Sequence, residues 1–163
     1  MSPITNPPPY IGHQARHRDG GSDVLVAAVR KTADETVANS TVLQDDDQLL
    51  FAIGANESWT FTFMTLAIED GIGTPGIHYA VTAPAGATGN VSVLAGSSIT
   101  SSVARATSTG QLALLTSDLA YLVIGTVVNG GTAGNVTLQW AQFLAAAAAT
   151  RVKAGSYVEA FLV

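Results

Sequence analysis

The chain contains no cysteine. That excludes a disulfide scaffold, a zinc–thiolate site, an iron–sulfur cluster and a thiol nucleophile. Charge is also scarce: 12% of the 163 residues are Asp, Glu, Lys or Arg, against about 25% in an average soluble domain. Hydrophobic residues make up 47% of the chain, the opposite balance to that of a disordered segment. The net charge is −5, so nucleic acid, which needs clustered Lys and Arg, is not an expected partner. No apolar run reaches the roughly 18 residues of a membrane span, and no membrane partner is expected. Residues 1–10 hold four prolines and no apolar core, which is not the pattern of a signal peptide.

The remaining charge is unevenly placed. Arg16, Arg18, Arg30 and Lys31 face Asp19, Asp23, Asp34, Glu35, Asp45, Asp46 and Asp47 within the first 47 residues. From residue 71 onward only Arg105, Asp118, Arg151, Lys153 and Glu159 are charged. A surface so poor in charge tends to associate, so burial against other copies or a partner is expected. Pro3 and Pro7, Pro8 and Pro9 favour extended backbone without donors, and Gly20-Gly21 breaks any helix. Residues 1–30 therefore read as an extended N-terminal arm and residues 31–163 as one β-sandwich domain. Tyr10 and Ile11 give the arm something to bury, and Arg16 and Arg18 give it charge.

Beyond the arm, short runs of strand-formers alternate with turn residues. Trp59, Phe61 and Phe63 alternate with Thr60 and Thr62; Ile77, Tyr79 and Val81 repeat the period, as do Val136, Leu138 and Trp140. Residues 119–128 are nearly all apolar, the pattern of a strand buried on both faces. Further strands are expected at 37–43, 49–53, 91–95, 99–104, 112–115 and 157–163. Turns are expected at 54–56, 70–71, 84–89, 129–131 and Gly134-Asn135. Residues 145–149 are five alanines, too short a run for an independent helix, and read as a loop with one turn. Residues 23–35 have some helical character, but Val24, Val26 and Val29 favour a strand or extended arm. The expected fold is all-β: an antiparallel, jelly-roll-like sandwich of about nine or ten strands.

Candidate chemistry is thin. Gly71-Ile72-Gly73-Thr74-Pro75-Gly76 matches G-x-G-x-x-G, but strand-formers follow where a dinucleotide site needs a helix, so a hairpin turn is expected. His13 and His17 have the i, i+4 spacing of metal ligands on a helix that the flanking Pro and Gly residues forbid. Asp45-Asp46-Asp47 is the strongest acidic cluster; Leu50 stands where an EF-hand loop needs Gly, and a solvated turn before the next strand is expected. No G-x-S-x-G occurs. With His13 and His17 in the arm, an enzyme would rest on His78 as general base. Trp59, Trp140 and Tyr157 form a sugar platform only if they lie outside the core. Asn39, Asn56, Asn90 and Asn135 open N-x-[ST] triplets that a Ser/Thr-rich chain produces by chance. No catalytic residue, metal or cofactor is expected.

Three stretches resemble virion proteins of tailed bacteriophages. His17-Arg18-Asp19-Gly20-Gly21-Ser22-Asp23 resembles the H-x-x-G-G-[ST]-D segment of tail-fibre and other appendage proteins. Arg30-Lys31-Thr32-Ala33-Asp34-Glu35-Thr36-Val37, then Asn39-Ser40-Thr41 and Leu43, resembles the start of a β-domain of such virions, followed by a strand at 49–53 and Ala55-Asn56-Glu57-Ser58-Trp59. Leu138-Gln139-Trp140-Ala141-Gln142, with Thr150, Val152 and Ala154-Gly155-Ser156-Tyr157, resembles its C-terminal signature. The family pattern has a polar stretch where this chain has alanines 145–149. The resemblance implies a structural virion protein on the virion surface, a homotrimer rather than an enzyme. A short chain with one such domain fits a capsid decoration protein, with Tyr10, Ile11, Arg16 and Arg18 gripping the major capsid protein. The alternative is a minor tail or tail-fibre protein, held by other tail proteins, that binds a receptor or carbohydrate.

Overall fold

The computed structural model describes residues 26–70, 75–95, 98–103 and 119–163. Eleven strands occur there, and no helix. They are β1 (Val26–Arg30), β2 (Glu35–Val37), β3 (Gln44–Ile53), β4 (Ser58–Glu69), β5 (Ile77–Thr82), β6 (Thr88–Ala95), β7 (Ser98–Val103), β8 (Leu119–Val128), β9 (Gly134–Gln142), β10 (Thr150–Val152) and β11 (Tyr157–Leu162). All pairings are antiparallel. The larger sheet has eight strands, ordered β1-β11-β4-β8-β6-β7, with β10 beside β4 and β2 beside β10; the smaller is β3-β9-β5. This is the expected all-β sandwich, divided unequally.

Alternation builds the core. Along β4, Trp59, Phe61, Phe63, Thr65, Ala67 and Glu69 are buried while the residues between them are half-buried. They meet Leu49, Phe51 and Ile53 of β3 and Val136, Leu138 and Trp140 of β9. Phe51 locks the sheets together, with its ring centroid 5.8 Å from those of both Trp59 and Phe61 and 6.3 Å from that of Phe63. Such tilted aromatic pairs add about 0.5–1.5 kcal/mol each beyond their buried area.

The larger sheet bends at one corner. β1 and β2 form a single line interrupted at residues 31–34, and the antiparallel line β10–β11 is interrupted at 153–156. The two interruptions bond to each other. The Lys31 N–H donates to Ser156 O at 2.7 Å, and the Gly155 N–H to Lys31 O at 2.9 Å. The Ala154 N–H donates to the Asp34 carboxylate at 2.8 Å. Gly155 sits at φ +95°, where a side chain would be strained.

Several expectations need correction. β8 is not buried on both faces: Tyr121, Val123 and Val127 face the core, while Ala120, Leu122, Thr126 and Val128 are exposed. An antiparallel sheet can leave its outer face uncovered, and among the described residues none covers this one. The strand expected at 37–43 ends at Val37, because Asn39 turns the chain at φ 55° and its N–H donates to Ala146 O. Gly134 and Asn135 are no turn; they pair with Ile53 and Ala52. Asp45, Asp46 and Asp47 are not a solvated turn but part of β3. Alanines 145–149 form a bent loop pinned by Gln142, whose Nε2 donates to Ala148 O and whose Oε1 accepts from the Ala146 N–H. Of the expected arm, residues 26–30 form β1, an edge strand paired with β11; the strand expected at 112–115 lies outside the described residues.

Candidate functional site

Charged residues are rarely buried unless paired, and at the bent corner Lys31 is 1% exposed. The interruption after β1 turns its side chain inward, between the sheets. Lys31 Nζ donates to Asp46 Oδ1 at 2.8 Å and to Glu35 Oε2 at 2.7 Å. Asp46, on β3 of the opposite sheet, is also 1% exposed. Its Oδ1 accepts further from the N–H groups of Gln48 at 3.0 Å and Leu49 at 2.9 Å, and its Oδ2 from Trp140 Nε1 at 3.2 Å. Glu35 is held in turn: Oε1 accepts from Gln44 Nε2 at 2.6 Å, and Oε2 from the Asp47 N–H at 3.1 Å. Burial pushes the Lys31 ammonium down, but the bonds to Asp46 and Glu35 outweigh it and the net shift is upward. One lysine, two carboxylates and an indole thus bridge the two sheets.

This cluster was missed in the sequence. β3 is irregular between Asp45 and Leu50: five steps there oppose only two on β9, from Gln139 to Thr137. The odd number of extra residues reverses the alternation. Counting back by twos from Ile53, Phe51 and Leu49 would put Asp47 and Asp45 inside, but the bulge puts Asp46 there instead. The signal available was Lys31, beside Arg30 at the end of a strand and four residues before Glu35, in a chain poor in charge.

The acidic triplet is therefore split. Asp46 points inward, whereas Asp45 is exposed and accepts from Gln139 Nε2 at 2.8 Å, and Asp47 is exposed as well. The place where two carboxylates do meet is filled by the Lys31 ammonium. Among the described residues, no three His, Asp or Glu side chains are grouped to hold a metal ion. His78 lies half-buried on β5, edge-on to Phe143 with ring centroids 6.0 Å apart. Burial lowers its pKa, partly opposed by a bond to the Thr41 backbone. Gly76 sits at φ 61° and leads directly into β5 rather than a helix, so its glycine motif lacks the helix a dinucleotide site requires. Trp59 and Trp140 are 2% and 0% exposed; both are core residues, not a sugar platform. Tyr10, Ile11, His13, Arg16, His17 and Arg18 lie outside the described residues.

The outer face of the larger sheet is the other notable surface. Strand register aligns Leu94, Leu122, Met64 and Tyr157 in one row across β6, β8, β4 and β11. Ile124 adjoins the row, and no charged residue stands on the outward positions of β4, β6 or β8.

No protein-family model matches the chain, and no curated protein sequence matches it. Among solved structures, a match is found to a chain titled "Structure of infectious bursal disease virus Gt strain". It is 12% identical with a TM-score of 0.25, and the match covers 85% of this chain and 42% of that one. This chain thus spans less than half of that chain's length, and a likeness at that score carries no argument about function.

Proposed function

We propose that this protein is a structural component of a tailed-phage virion: a capsid decoration protein on the head surface, attached through its N-terminal arm. One observation carries the reading. Two of the three segments that bear the phage-virion resemblance, the one starting at Arg30 and the C-terminal one, are far apart in sequence, yet they meet at one corner. Lys31 and Glu35 come from the earlier of these two, Trp140 from the C-terminal signature, and Ser156, whose carbonyl accepts the Lys31 N–H, from its last part. Residues that carry the resemblance are thus among those that tie this sandwich together.

Two features support the details. The described chain begins on β1, an edge strand, and the reading assigns the grip on a neighbouring shell subunit to Tyr10, Ile11, Arg16 and Arg18. The uncharged outer row of Leu94, Leu122 and Met64 suits packing against further copies, in keeping with a homotrimer. The role is cementing: apolar burial by the arm gains about 25 cal/mol per Å², less the cost of ordering it. The reading involves no catalysis. The burial of Trp59 and Trp140 disfavours carbohydrate binding through those residues.

The test is immunogold labelling of purified virions with antibody against this chain, paired with a variant lacking residues 1–23. Gold over the head, and a folded truncated protein that no longer binds particles, are expected. Gold at the tail tip would move the assignment to a minor tail protein. A truncated protein that still saturates the particles would overturn attachment by the arm.

A further inference from the structure

We propose that Lys31 and Asp46 join in an intramolecular amide bond, with Glu35 carrying the protons. The inference stands on the buried corner alone and does not depend on the virion assignment. A buried amine nucleophile lies within hydrogen-bond distance of one carboxyl group that can be attacked and a second that can move protons. Lys31 Nζ is 2.8 Å from Asp46 Oδ1 and 2.7 Å from Glu35 Oε2, and Lys31 and Asp46 are each 1% exposed. A carboxyl group accepts attack when its developing oxyanion is held by preorganised donors. The Gln48 and Leu49 N–H groups already converge on Oδ1, at 3.0 and 2.9 Å. Trp140 Nε1 holds Oδ2, the oxygen that would leave. Gln44 and the Asp47 N–H fix Glu35.

The step balances within the cluster. Glu35 takes one proton from the Lys31 ammonium, leaving a neutral amine. The amine attacks Asp46 Cγ, and the oxyanion forms on Oδ1. Glu35 passes its proton to Oδ2 and takes a second from the nitrogen. It delivers that one too, and Oδ2 departs as water. Of the three ammonium protons, one stays on the amide nitrogen and two leave in the water. Glu35 ends as the carboxylate it began as, and no oxidant, reductant or co-reactant is consumed. The bond would close a 15-residue separation and join the larger sheet to β3 of the smaller one, a covalent tie between sheets in a chain without cysteine.

The experiment is peptide mapping and intact mass of the denatured full-length protein. Trypsin cuts after Arg30, Lys31 and Arg105, so an unmodified chain yields a peptide beginning at Thr32. The linked chain resists cleavage after Lys31 and yields residues 31–105 about 18 Da light, the mass of one water. Full mass with ordinary cleavage after Lys31 overturns the proposal. An aspartate can also lose water by cyclising on its own backbone, and Lys31→Arg separates the two cases. That variant keeps the cation but not the nucleophile, so its mass must return to the full value; persistence of the deficit overturns the proposal. Glu35→Gln removes the proton carrier, and its linked fraction must fall well below that of the parent. An undiminished fraction overturns the role of Glu35.

Discussion

Replacing Asp46 by alanine puts the buried corner to its most direct test. The side chain accepts four hydrogen bonds: from Lys31 Nζ, the N–H groups of Gln48 and Leu49, and Trp140 Nε1. In the variant Lys31 keeps only Glu35 as a carboxylate partner, while its ammonium stays 1% exposed. Breaking a buried ion pair from one side costs about 3–5 kcal/mol. The stranded indole and backbone donors act in the same direction, at about 1–3 kcal/mol for each that finds no water. Counting noncovalent contacts alone, a loss of about 4 kcal/mol is a conservative figure, since the removed carboxylate served all four donors. At roughly 2–4 °C per kcal/mol for a domain of this size, the melting temperature falls by about 8–16 °C. The control is the residue next to it. Asp45 is exposed and accepts one bond, from Gln139, so Asp45→Ala stays within about 0.5 kcal/mol of the parent. Urea unfolding of the three proteins, followed by circular dichroism, measures both effects. A loss below about 1 kcal/mol for Asp46→Ala, or equal losses for both variants, would refute the assignment of Asp46 as the inward member of the triplet.

Other perturbations test the sandwich itself. A Cβ on Gly125 of β8 would lie 2.5 Å from Asn90 O and 2.6 Å from Phe61 Cζ. Because the first of these is backbone of the neighbouring strand, Gly125→Ala costs about 1–3 kcal/mol through overpacking; it shows as a lower urea midpoint at unchanged slope, and an unchanged midpoint would count against the β6–β8 register. Burial pushes the Tyr121 hydroxyl up to about 12, and pushes the fully buried Tyr79 further in the same direction. Both pKa values are raised in the folded state, so the native protein resists losing these protons. Stability is therefore held below the unfolded value near pH 10 and declines as pH rises from there toward the folded values. The tyrosinate absorbance of Tyr79 and Tyr121 should appear late and together with unfolding; ionisation of both near pH 10 in a still-folded protein would contradict their burial.

Much of the fold was legible because alternation is local. Trp59, Phe61 and Phe63, or Val136, Leu138 and Trp140, disclose a half-buried strand without reference to any partner, since successive side chains point to opposite faces. The glycine and asparagine turns at 54–56 and 129–131 are legible for the same reason: a tight turn is decided by the residues in it. What failed depended on neighbours. The apolar run of β8 reads as doubly buried, yet whether a second layer covers its outer face is a property of the whole topology. Val37 to Leu43 have strand-like composition, but Asn39 and its bond to Ala146 end the strand after Val37.

The composition, the period-2 runs and the turn residues suffice to specify an all-β, charge-poor sandwich, because each acts over a few residues. The site did not follow from them. Asp45, Asp46 and Asp47 are chemically identical, and nothing local distinguishes the one that is buried. Five steps on β3 set against two on β9 make that choice, by reversing which side chains face the core. Lys31 then meets Asp46 only because β1 breaks where it packs against the break before β11. Pairing between strands far apart in sequence positions these charges, and only the folded chain contains it.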